Sequence, residues 1–136
     1  MVQVDIYTDG SSIGNPGPGG FAAIIKFGEN KKILKGGEAV TTNNRMEMCG
    51  IIAALHWISE NLKVKTCAVH SDSRLVIQTM KEGWKRKKNL DLWEKMDKVV
   101  TNFEKIEWKW VKGHNGHLEN EEADKVAVSE ARRRCL

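Results

Sequence analysis

The chain reads as an α/β protein on a mixed five-stranded sheet, in the order βββαβααβα, flanked by helices. Three observations predict this. Val2, Val4 and Ile6 alternate with Gln3, Asp5 and Tyr7, the period of a strand, and Ile106, Trp108 and Trp110 repeat it near the end. Between these lie segments whose apolar residues recur at steps of three and four. The first three strand-like runs are separated only by turns, whereas the fourth and fifth each follow helical segments. Strands one, four and five should therefore pair in parallel.

The elements follow in order. Phe21–Phe27 and a segment around Lys32–Val40, joined by a turn at Gly28-Glu29-Asn30, complete an antiparallel meander with the first strand. Gly10 to Gly20 holds five glycines and both prolines of the chain, and reads as a long turn. TTNNRMEMCGIIAALHWISE reads as a helix with Thr42 or Asn43 as N-cap. Lys65–Ser71 is a short apolar strand, and Asp72-Ser73 opens a helix to about Lys81. Gly83–Lys88 is basic and loop-like. Asn89 is expected to cap a helix carrying Leu92, Trp93, Met96, Val99, Val100 and Phe103 on one face. The stretch KGHNGHLENEEAD leads into a last helix to about Arg133.

A chain of 136 residues, 40% of them hydrophobic, is long enough for one domain with one core. The net charge of +4 permits a nucleic acid partner without demanding one. Cys49, Cys67 and Cys135 have neither zinc spacing nor a disulfide framework, and read as reduced thiols of a cytoplasmic protein. No signal peptide and no apolar run near the ~18 residues of a membrane span is present. A membrane partner is not expected.

Four carboxylates stand in costly places. Asp9 and Asp72 fall at the carboxyl ends of strands one and four, where ligands of parallel sheets gather. Glu47 shares a helix stripe with Ile51, Ala54 and Ile58, and Asp124 one with Ala127, Val128 and Ala131. A carboxylate on a buried stripe requires a partner or a metal ion. Each acid alone fits a simpler role: a salt bridge to Arg45 or a lysine, a helix cap, a turn. Together, with no Lys or Arg at matching inward positions, they suit hard divalent cations with oxygen ligands, magnesium above all.

YTDGSSIGNPGPGG, TTNNRMEM, HSDS, NLDLW and VKGHNGHLENEEAD, in this order, resemble the type 1 ribonuclease H family over nearly the whole chain. The resemblance implies the ribonuclease H-like fold in a single catalytic domain over 1–136. It also implies endonucleolytic hydrolysis of the RNA strand of RNA–DNA hybrids by a two-metal-ion mechanism, leaving 5′-phosphate and 3′-hydroxyl ends. The family's four metal-binding acids fall on Asp9, Glu47, Asp72 and Asp124, serving two Mg2+ ions with Mn2+ as a substitute. His114 matches the family's mobile auxiliary histidine, and His117 is read as structural. Asn15, Asn43 and Asn44 match contacts to the hybrid's minor groove, and Thr42 and Asn89 a pocket for a phosphate of the DNA strand. Turn formation and helix capping are the alternative roles of these residues.

Two departures stand out. Where many members have glutamine two residues after the third acid, this chain has Arg74. Where many carry a long basic protrusion, it has only MKEGWKRKK, Met80 to Lys88. Lys85, Lys87 and Lys88, with Lys81 and Arg86, read either as phosphate contacts with Trp84 against a deoxyribose, or as a solvated loop. Hybrid binding weaker than in protrusion-bearing members is expected, with more reliance on manganese or low salt.

Competing readings are a non-catalytic hybrid or double-stranded RNA binding module, another nuclease of the broad fold such as an integrase or resolvase, and a reverse transcriptase domain. The full acid set argues against the first, and the TTNNRME and GHNGHLENEEAD stretches against the second. The start at Met1 and the domain length favour a stand-alone monomer with no obligate protein partner.

Overall fold

The structure is a computed structural model that describes residues 3–112 and 118–135. Val2, His114 and His117 lie outside the described residues. The elements are β1 (Val4–Ser12), β2 (Gly17–Phe27), β3 (Asn30–Thr41), α1 (Asn43–Trp57), β4 (Thr66–Ser71), α2 (Arg74–Glu82), α3 (Leu90–Val100), β5 (Lys105–Trp110) and α4 (Leu118–Arg133). Five strands form one sheet in the order β3-β2-β1-β4-β5. β1 pairs antiparallel with β2, and β4 pairs in parallel with both β1 and β5, as the order of elements predicts.

The alternation along the central strands sorts residues between two layers. Val4 and Ile6 on β1, Ala23 and Ile25 on β2, and Cys67 and Val69 on β4 join the main core with α1, α2 and α3. Ala22 and Ile24 turn the other way and pack on Ala123 and Ala127 of α4, with Tyr7 beside them. β2 is thus apolar at every central position because helices cover both its faces. On α3, Leu92, Trp93, Met96 and Val99 are buried, as their spacing predicts.

Three local readings change. The segment from Gly10 to Gly20, expected as a long turn, is mostly strand. β1 and β2 stay paired to Ser12↔Gly19, and only the tip around Ile13–Pro16 turns. The helix expected through Glu60 leaves the α form at Ile58 and finishes as a π turn, Ile58–Leu62. Its last amide bond runs from Lys63 N–H to the Ile58 carbonyl, with Lys63 left-handed at φ 54° where glycine is more usual. Asn89 precedes α3 but does not cap it with its side chain; it is left-handed, and its backbone carbonyl accepts from Leu92 and Trp93. Among the described residues no helix is long and apolar enough to cross a membrane.

Candidate active site

The site forms where the sheet opens. β1 and β4 pair only from Asp5↔Ala68 to Tyr7↔His70, while β1 continues along β2 to Ser12. Beyond Tyr7 a gap separates β1 from β4, and acids from both faces of the sheet meet there. One carboxylate oxygen from each of Asp9, Glu47 and Asp72 lies within 4.8 Å of the others. Asp124 joins them from α4 by a hydrogen bond with Asp9.

Strand parity explains who faces whom. Thr8 shares the α1-facing parity of Ile6, and Ser71 that of Val69. Their hydroxyls donate to the same oxygen, Glu47 Oε1, at 2.7 and 2.5 Å. Asp9 takes the α4-facing parity of Tyr7, and its carboxylate accepts the Gly10 amide at 2.9 Å. The alternative of a Glu47–Arg45 salt bridge does not hold. Arg45 instead makes a two-pronged pair with Asp91, at 3.0 and 2.8 Å.

Two glycines of the opening motif set the depth of the two acid-bearing helices. A Cβ on Gly10 would stand 2.3 Å from the Glu47 backbone nitrogen. One on Gly20 would stand 2.4 Å from the Ala127 carbonyl oxygen and 2.6 Å from the Ala131 nitrogen. Without side chains there, α1 and α4 rest directly on the strands and bring Glu47 and Asp124 to the gap. The sequence reads this run as a long turn; at Gly10 and Gly20 its close neighbour is the protein's own helix.

The cluster resists full ionisation by itself. Burial raises the Asp9 carboxyl to about 9, helped by the charge on Glu47, the hydrogen bond with Asp124 and the charge on Asp72; the Gly10 amide opposes this. Burial also raises Glu47, to about 6, against the lowering effect of the Ser71 and Thr8 hydroxyls. Acids raised by burial and mutual repulsion, with oxygens this close, form a donor set suited to hard divalent cations.

The expected substrate contacts fall into two groups beside the acids. Asn15 and Asn43 meet at the hairpin tip: Asn15 Oδ1 accepts the Asn43 amide at 3.4 Å, and Asn43 Oδ1 accepts the Ser12 amide at 2.7 Å. Thr42 caps α1 through Arg45 N–H, and the Arg45 guanidinium donates to Asn89 Oδ1 at 3.2 Å. Arg45 thereby ties together the two residues matched to the phosphate pocket. Asn44, Asn89, Lys85, Lys87 and Lys88 line a cavity of about 220 Å³ with Met48, Leu75, Thr79, Arg86 and Trp93. Trp84 is exposed and stands outside that cavity lining.

Sequence reasoning missed Thr8, Ser71 and Arg45. The signal for the first two was present: each strand acid directly follows a hydroxyl residue, in Thr8-Asp9 and Ser71-Asp72. Alternation turns those hydroxyls toward the helix that carries Glu47.

Carboxylates converging where the parallel pairing of β1 and β4 ends, between helices, form a centre suited to metal-assisted hydrolysis. The RNase H family profile matches residues 1–132. The chain is 44% identical to Ribonuclease H of Erwinia tasmaniensis, over 96% of this chain and 90% of that one. Its fold superposes on the N-terminal RNase H domain of a Mycobacterium tuberculosis protein with a TM-score of 0.88 at 31% identity, covering 99% and 97% of the two chains. LC11-RNase H1, isolated from compost and solved in complex with an RNA/DNA hybrid, gives 0.82 at 25% identity, covering 98% and 100%. The chain belongs to the ribonuclease H family of nucleases.

Proposed function

We propose that this chain hydrolyses the RNA strand of RNA–DNA hybrids endonucleolytically, with magnesium as cofactor, leaving 5′-phosphate and 3′-hydroxyl ends. The observation that carries the reading is the convergence of Asp9, Glu47 and Asp72 within 4.8 Å at the sheet gap of a ribonuclease H family chain. The name and bound hybrid of the LC11 relative support the substrate.

Asp9, Glu47 and Asp72 would hold one cation, and Asp9 with Asp124 a second. Bound magnesium would supply a Lewis acid for the attacking water and for the departing 3′-oxygen. The protein's part is positional. Thr8 and Ser71 fix the Glu47 carboxylate, and the Gly10 amide fixes Asp9. Asn15, Asn43 and Asn44, near the hairpin tip and the start of α1, would read the 2′-hydroxyl side of the minor groove. Thr42 and Asn89 would take a phosphate of the DNA strand beside the Arg45 guanidinium. His114 is assigned the auxiliary role in proton handling or product release. The residues 1–136 would form one catalytic domain acting as a monomer.

The test offers labelled RNA–DNA hybrid, double-stranded RNA, double-stranded DNA and single-stranded RNA, with magnesium and then with EDTA. Cleavage of the hybrid alone, and only with the metal, is expected; equal cutting of double-stranded DNA would sink the reading. Asp72→Asn should bind hybrid and lose turnover by about 10³-fold or more. Near-normal turnover in that variant would overturn the metal assignment.

A further inference from the structure

Arg74 is exposed at the first turn of α2. Its guanidinium lies between two indoles, 5.8 Å from the ring centre of Trp84 and 5.7 Å from that of Trp110. Both distances fall inside the roughly 6 Å range of cation–π attraction. The two rings belong to different parts of the molecule. Trp84 is in the basic segment 83–89, which has no regular secondary structure. Trp110 ends β5, and its indole N–H donates to the Asp72 carbonyl at 3.2 Å. A chain of contacts therefore runs from the basic segment, through Arg74, to the backbone of an acid in the cluster.

The segment has a second attachment. The Arg86 guanidinium lies 4.8 Å from the Trp93 ring centre and bonds Asp97 on α3. Arg74 and Arg86 are thus used as fasteners, and Lys85, Lys87 and Lys88, the neighbours of Arg86 in the chain, are left exposed.

We propose that Arg74 is a positioning residue. It clips the segment 83–89 to the catalytic edge through Trp84 and Trp110, so that Lys85, Lys87 and Lys88 meet the phosphates of a bound nucleic acid in fixed register with the acid cluster. The inference rests on the nuclease reading above for its substrate, but the clip itself exists without substrate.

The test has two arms. In the free protein, trypsin cleavage after Lys85 to Lys88 is followed by fragment mass. Arg74→Gln and Trp84→Ala should each speed it by about two- to tenfold, the double variant no more than either single one, while Arg74→Lys keeps most of the protection. An unchanged rate in Arg74→Gln overturns the clip, whatever the enzyme proves to cut. With RNA–DNA hybrid, Arg74→Gln should raise KM by about two- to tenfold with kcat changed less than twofold, and add nothing in a Trp84→Ala background. An equal rise in KM on both backgrounds would mean that Arg74 touches the nucleic acid itself, and would also overturn the proposal. Loss of the nuclease reading leaves the trypsin arm intact, so the two failures are distinguishable.

Discussion

Thr8 on β1 and Glu47 on α1, 39 positions apart, are joined by a hydrogen bond of 2.7 Å that closes on the same carboxylate oxygen as the Ser71 hydroxyl. Glu47 is 3% exposed, so these two donors replace the water that an ionised carboxylate would otherwise hold. Thr8→Val keeps the shape and removes one donor. It should destabilise the protein by about 1–2 kcal/mol near pH 8, read from urea denaturation, and weaken magnesium binding in calorimetry. Equal stability and equal affinity would show that Ser71 alone suffices.

Asp9 and Glu47 both have folded-state pKa values above those of an unfolded chain. The folded state therefore holds more protons, and these two groups make the metal-free protein less stable as pH rises from the ordinary carboxylate range toward about 9. On the function proposed above, magnesium would compete with those protons, so its apparent affinity should climb across pH 6 to 9, the window set by the two groups. Asp9→Asn should raise the metal-free Tm at pH 8 and flatten its fall with pH, while abolishing cleavage. A metal-free Tm that is lower in Asp9→Asn would contradict burial and repulsion as the origin of the raised pKa.

Gly20→Ala inserts a methyl group against the α4 backbone at Ala127 and Ala131, where neither side has a flexible atom to yield. The helix must rise off β2, moving Asp124 from Asp9. A loss of about 2 kcal/mol or more is expected, with magnesium affinity reduced in the molecules that remain folded. Gly83→Ala is the contrasting case: nothing stands within 4 Å, and only the strain of its positive φ of 73° is felt, about 1 kcal/mol. Cation binding should survive Gly83→Ala, and parity of the two variants in calorimetry would refute the seat assigned to Gly20.

Replacing Lys85, Lys87 and Lys88 together by Ala should raise KM for hybrid and flatten the dependence of log affinity on log salt by about 2 to 3 units of slope. An unchanged slope would make the segment a solvated face with no phosphate contact.

The architecture was legible because its signals are local. Period two marked β1 and β5, steps of three and four marked α1 and α3, and glycine with proline marked the hairpin. Asp9, Glu47, Asp72 and Asp124 were legible as acids in places where burial makes an unpaired charge expensive. Partners that come from afar were not. Arg45 stands two residues from Glu47 yet reaches Asp91 and Asn89, and no pattern along one chain encodes that choice. Glu130 is buried too, and the arginines that satisfy it, Arg133 and Arg134, sit in a tail whose composition reads equally well as a frayed end.

β1 loses β4 as a neighbour after Tyr7 but keeps β2 on its other flank up to Ser12. The strand that carries Asp9 is consequently stiff on one side and open on the other. On the paired flank the ladder to β2 restrains the backbone that carries the Asp9 carboxylate. On the function proposed above, such a frame discriminates by ionic radius. Magnesium, with short bonds and a strict octahedron, fits ligands that do not spread, whereas calcium asks for longer bonds and more of them. Discrimination between the two would then originate in the hydrogen bonds of a hairpin.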